Sequence, residues 1–178
     1  MKNILFIFIS VIIVACSSDK EIKEIEGLEL GSDAMEVMEK VKSKYDALLD
    51  RENKGVYVFN IPKSDYHLQE IKVHTKDDKF IGAQFIYMYP DSIDGKRKFE
   101  QYLDKYSSMY GEPSYNKENG NDIAFLWLTD GKTAVGMLQE NIALDNYYIY
   151  QSAFTLDSSM KAEFDKTLLE DDWNKTVE

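Results

Sequence analysis

Lys79-Phe80-Ile81-Gly82-Ala83-Gln84-Phe85-Ile86-Tyr87-Met88-Tyr89 is apolar on both phases of an extended strand, and its reading decides the fold. Its β-branched and aromatic density marks a strand. Immediately before it, Asp77-Asp78 supplies a tight turn to a second strand run, Tyr66 to Lys76, and a third run, Val56 to Ile61, precedes that. Further back the period changes. Ala34, Val37, Met38, Val41, Tyr45, Leu48 and Leu49 form a helical stripe, Asp33 with Glu36 can close a capping box, and Gly55 lies beyond the helix end.

Moving forward from Tyr89, the pattern repeats. Phe99, Tyr102, Leu103, Tyr106 and Tyr110 make a second helical stripe closed by Gly111 and Pro113. Strand runs recur at Ile123 to Thr129, Lys132 to Glu140 and Tyr147 to Phe154, with Asp130-Gly131 as a hairpin signal. Met160, Phe164 and Leu168 give a third stripe. Phe99/Leu103 echoes Phe164/Leu168 at an offset of 65, and Lys44-Tyr45 echoes Lys105-Tyr106. The architecture expected is α+β: two tandem units of one helix and three antiparallel strands, about residues 27–90 and 91–156. The helices lie on one sheet face, and a closing helix spans 157–172.

The first residues carry an address. Met1-Lys2-Asn3 is followed by an apolar run from Ile4 to Ala15 interrupted only by Ser10. As a helix those residues rise about 18 Å, short of the roughly 30 Å hydrocarbon core of a bilayer. Residues 1–15 therefore read as a signal peptide. Ile13-Val14-Ala15-Cys16 resembles a bacterial lipobox, which implies diacylglycerol on Cys16. Cys16 is the single cysteine and has no disulfide partner, which lipidation explains. Residues 16–26 read as a solvated tether. Ser17, by resemblance, implies transfer to an outer membrane, and the charged stretch from Asp19 to Glu24 suggests surface export.

Composition bounds the partners. Removing residues 1–15 takes Lys2 from the 21 basic residues and leaves 20 against 32 acidic, a net charge of −12 on 163 residues. Nucleic acid is thereby a poor partner. Arg51 and Arg97 are the only arginines, leaving little material for bidentate phosphate clamps.

Gly27-Leu28-Glu29-Leu30-Gly31 followed by Asp33 to Val37 resembles the domain opening of small lipoproteins of the SmpA/OmlA (BamE-like) type, whose fold is related to β-lactamase inhibitor proteins. Lys105-Tyr106 to Pro113, then Trp127 on a strand, is similar to the second unit of such tandem folds. The resemblance implies an envelope binding or scaffold module.

No constellation for catalysis emerges. His67 and His74, seven apart on one strand, point to opposite faces and cannot share a metal there. Asp50 to Gly55 outlines a calcium loop but places Lys54 at the fifth position and Ile61 where a bidentate acid belongs, so a capped helix end and turn explains it better. No Gly-x-Ser-x-Gly elbow and no Gly-rich phosphate loop occur. No catalytic residue, cofactor or metal is assigned.

Twelve tyrosines, nine phenylalanines and two tryptophans exceed what one sheet face buries. Gln84 shares a strand phase with Phe80, Ile86 and Met88, and Gln151 shares one with Tyr147 and Ile149. On Tyr66 to Lys76, Glu70, Lys72 and His74 mark the open side while Ile71 and Val73 go inward. The face bearing Gln84, Ile86, Tyr147, Ile149 and Gln151, with Phe125 and Trp127, is the expected binding surface. Three functions follow: a lipid-anchored, non-enzymatic scaffold engaging a protein partner, a module binding a small ligand or glycan on aromatic side chains, and an envelope hydrolase.

Overall fold

The computed structural model describes residues 22–62, 67–120, 122–129, 132–141, 146–157, 161 and 174–175. The signal peptide, Cys16 and nearly all of the expected closing helix lie outside them.

A short hairpin, β1 (Glu24–Ile25) and β2 (Leu28–Glu29), precedes helix α1 (Ala34–Tyr45). Asp33 caps α1, its Oδ1 accepting from the Met35 and Glu36 amides at 2.9 and 3.1 Å. The helix stops sooner than its apolar stripe suggests, because Asp46 turns left-handed (φ 51°, ψ 39°), a conformation the short acidic side chain tolerates. Leu48 and Leu49 therefore open a strand, β3 (Leu48–Asn53), which pairs with β4 (Val56–Asn60) across a turn at Lys54-Gly55, both at positive φ. The stretch expected to be a capped helix end is thus half of a hairpin. β5 (Leu68–Lys76) and β6 (Lys79–Tyr89) follow, joined at Asp77-Asp78, also both at positive φ.

Helix α2 (Ser92–Tyr110), capped by Asp91, leads to β7 (Tyr115–Asn119), β8 (Asp122–Thr129), β9 (Thr133–Asn141) and β10 (Tyr147–Thr155). A last strand, β11 (Asn174–Lys175), returns to pair with β7. All are antiparallel in one nine-stranded sheet, ordered β11-β7-β8-β9-β10-β6-β5-β4-β3.

The expected α+β division is overturned. Among the described residues the structure is mostly β, 52% strand against 26% helix, with two helices and one large antiparallel sheet beside the β1–β2 pair. Two causes are visible. β3 forms where a helix end was expected, and β7 lies between the second helical stripe and the strand run from Ile123, where no element was expected. In addition, β6 and β10 pair along eight registered positions, from Tyr147↔Tyr89 to Phe154↔Gly82, and merge all the long strands into one sheet.

One apolar cluster fills the space between helices and sheet. It joins Val37, Met38 and Val41 of α1, Phe99 and Tyr106 of α2, and Phe59, Ile71, Phe85, Trp127 and Ile149 of the strands. Fully burying each large side chain contributes roughly 1.5–3 kcal/mol. The cluster reaches further back than the expected domain start at residue 27. Ile22, Ile25 and Leu28 are 4%, 5% and 0% exposed, so the N-terminal stretch read as solvated tether is partly core. Lysines on α1 hold it there, Lys40 Nζ donating to the Gly27 carbonyl at 2.6 Å and Lys44 Nζ to that of Glu26 at 2.8 Å.

Candidate functional site

Strand alternation divides the sheet into a face under the helices and a face opposite it. The seven expected binding residues do not share a face. Tyr147, Ile149 and Gln151 are completely buried under the helices and Trp127 is 1% exposed. Phe125 lies on the same covered side, half-buried, its ring tilted against those of Phe99 of α2 and Trp127 at 6.1 and 6.3 Å. Gln84 and Ile86 lie on the opposite side, where their cross-strand partners on β10 are Ser152 and Tyr150, not Gln151 and Ile149.

Physical reasons for the split are local. Gln151 is polar yet buried because Tyr106 on α2 donates its hydroxyl to Gln151 Oε1 at 2.9 Å, which meets one of the amide's needs inside the core. Burial, and then the charge of Glu26, pushes the Tyr106 phenol well above its ordinary range, so the group stays a neutral donor. Trp127 donates its indole N–H to the Gly111 carbonyl at 2.9 Å and so ties the end of α2 to β8. Tyr147 lies directly beneath Gly95 of α2, where a Cβ would collide with its ring. Phe80 leaves the phase of Gln84 because the β5–β6 register slips between His74 and Thr75. It enters the core at 0% exposure. These residues position helices, and no surface is available on them.

The opposite face is built from the alternate positions. One row across the strands reads Ala124, Leu138, Tyr150, Ile86, Glu70, and the next reads Leu126, Gly136, Ser152, Gln84, Lys72, Val58. Among the described residues, helices and the β1–β2 hairpin pack only on the other side. Tyr148 and Tyr150 stack here with centroids 6.3 Å apart, Tyr150 donating to Glu140 Oε2 at 2.9 Å. Gly136 makes a shallow dip, since a Cβ there would come within 2.8 Å of Ser152 Oγ. The groove around it, of about 420 Å³, is bordered by Gln84, Leu126, Leu138, Tyr150 and Ser152. Glu70, Lys72 and His74 stand on this side and Ile71 and Val73 on the covered one, as their alternation predicts.

The two histidines serve as ring contacts. His67, ahead of β5 at φ 59°, lies 4.7 Å from Tyr89, and His74 meets Phe154 edge-on at 4.9 Å on the open face. Burial, then Lys72, lowers the His74 pKa. Among the described residues no cluster of His, Cys, Asp and Glu could hold a metal ion, and no helix is long and apolar enough to cross a membrane.

Sequence reasoning missed Leu138, Tyr148, Tyr150 and Ser152. Their signal was present as the other phase of strands apolar on both. Comparison with known proteins adds no name to this arrangement: the chain matches no protein-family model, no curated protein and no solved structure.

Proposed function

We propose that this protein is a lipid-anchored, non-enzymatic binding or scaffold module of the bacterial envelope that engages a protein partner through its open sheet face. The observation that carries the partner class is the apolar content of that face. Leu138, Tyr148 and Tyr150, all half-buried, stand beside Ile86 on the neighbouring strands β6, β9 and β10. Aromatic and aliphatic side chains placed side by side on a sheet suit a protein interface. The anchor rests on Ile13-Val14-Ala15-Cys16 and the absence of a second cysteine. The resemblance of Gly27 to Val37 to SmpA/OmlA lipoproteins supports the same class.

A second reading has one observation in its favour. The groove at Gly136 places Tyr150 beside Gln84 and Ser152, a tyrosine ring next to polar groups, which suits a glycan or small polar ligand.

The experiment compares variants in native membranes. Leu138→Glu and Tyr150→Ala should fold as the parent does and lose the partner that the parent captures by cross-linking. Undiminished capture by both folded variants sinks the open face as the interface. Mass spectrometry of the mature protein should show a lipidated Cys16, and a free thiol there sinks the anchor.

A further inference from the structure

We propose that the end of the domain where α1 and α2 finish, together with the β1–β2 hairpin, faces the bilayer. The inference rests on the lipid anchor proposed above and deepens it. If the anchor is on Cys16, residues 17–21 are all that separates it from Ile22, which is already in the core. Six peptide steps reach at most about 22 Å when fully extended. A domain of this length has a radius of gyration of about 15 Å and is nearly 40 Å across, so the leash is shorter than the body it holds.

The attachment point is firmly placed. Ile22 borders a crevice of about 810 Å³ shared with Lys44 at the end of α1 and Ser108, Met109 and Tyr110 at the end of α2. Lys44 and Lys105, the pair that echoes in the sequence, converge on Glu26 from the two helices. Lys44 donates to the Glu26 carbonyl at 2.8 Å, and Lys105 lies 3.4 Å from Glu26 Oε1. Each lysine also sits over the tyrosine that follows it, Tyr45 at 4.8 Å and Tyr106 at 5.7 Å. The hairpin carrying the leash is thereby gripped by both helices and cannot swing away without breaking buried contacts of Ile25 and Leu28. Met109, 40% exposed, is an apolar tip at this end, beside the crevice that Ile22 borders. The far end of α2 carries Ile93, 77% exposed and about 24 Å from Met109 along the helix.

The test uses the lipidated full chain in phosphatidylcholine vesicles containing an acceptor-labelled lipid. Cys16 is the only native cysteine, so Met109→Cys and Ile93→Cys each offer one free thiol for a donor dye, at exposed positions. Energy transfer to the membrane should be several-fold stronger from position 109 than from 93. Inserting about twenty Gly/Ser residues after Ser18, with a mean span of roughly 25 Å, should flatten that difference. Vesicle-bound protein with equal or reversed transfer overturns the orientation while leaving the anchor standing, and a gradient that survives the insertion overturns the leash as its cause. Protein that fails to float with vesicles and carries a free Cys16 thiol overturns both.

Discussion

Replacing Tyr106 with Phe removes one oxygen atom from the covered face, and the structure sets the expected cost. Tyr106 and Gln151 are 5% and 0% exposed, and the hydroxyl supplies Oε1 with a 2.9 Å hydrogen bond while Gln151 Nε2 has no partner among the described residues. Tyr106→Phe loses a bond worth about 1 kcal/mol net and leaves Oε1 buried without a donor, so the total loss is roughly 2 kcal/mol. Gln151→Met deletes the unpartnered amide nitrogen along with the acceptor and strands only the hydroxyl, so it should cost about 1 kcal/mol or less. The double variant leaves neither partner behind. It should be near the parent in stability, giving a coupling of about 2–3 kcal/mol across the cycle. Urea denaturation measures each corner, and the single Phe variant should melt roughly 4–8 °C below the parent. Additive single effects, or a Phe variant within about 0.5 kcal/mol of the parent, would place Gln151 in solvent and refute the assignment of faces.

Gly95→Ala gains about 1 kcal/mol of helix propensity. Its new methyl, however, would meet Tyr147 Cδ1, Cγ and Cβ at 2.3, 2.5 and 2.8 Å, and overpacking of this kind costs about 1–3 kcal/mol or more. Calorimetry should show a net loss, and an unchanged or raised melting temperature would mean that α2 does not approach the sheet there. Trp127→Ala and Ile149→Ala should each destabilise by about 2–5 kcal/mol, whereas Tyr150→Ala should stay within about 1 kcal/mol. The reverse ranking in denaturant titrations would exchange the two faces. His74 has its pKa lowered, chiefly by burial, so the unfolded chain binds its proton first on acidification. Stability is fully present above the unfolded value of about 6.5 and declines as pH falls below it. His74→Gln should flatten the stability profile between pH 7 and 5, and an unaltered slope would remove His74 as its source.

The amino-acid order by itself determined the local elements that depend on neighbours a few residues away. Asp33 caps α1 through its own side chain, Asp77-Asp78 turns β5 into β6, and Ile71 and Val73 point inward because Glu70, Lys72 and His74 cannot. Tertiary structure alone decided the mostly β class, because joining two sets of strands into one sheet depends on β6 meeting β10, residues about sixty positions apart that no local period records. It also decided which face is covered. On β6, β8 and β10 both phases are apolar enough to be core, and the choice falls to the phase that receives Tyr106, Phe99 and Val41 from the helices. Gln84 does stand on the open face, but Gln151 pointed the wrong way there. A buried amide is tolerated once a hydroxyl from another element reaches it, and that hydroxyl belongs to Tyr106, forty-five residues from Gln151 in the chain.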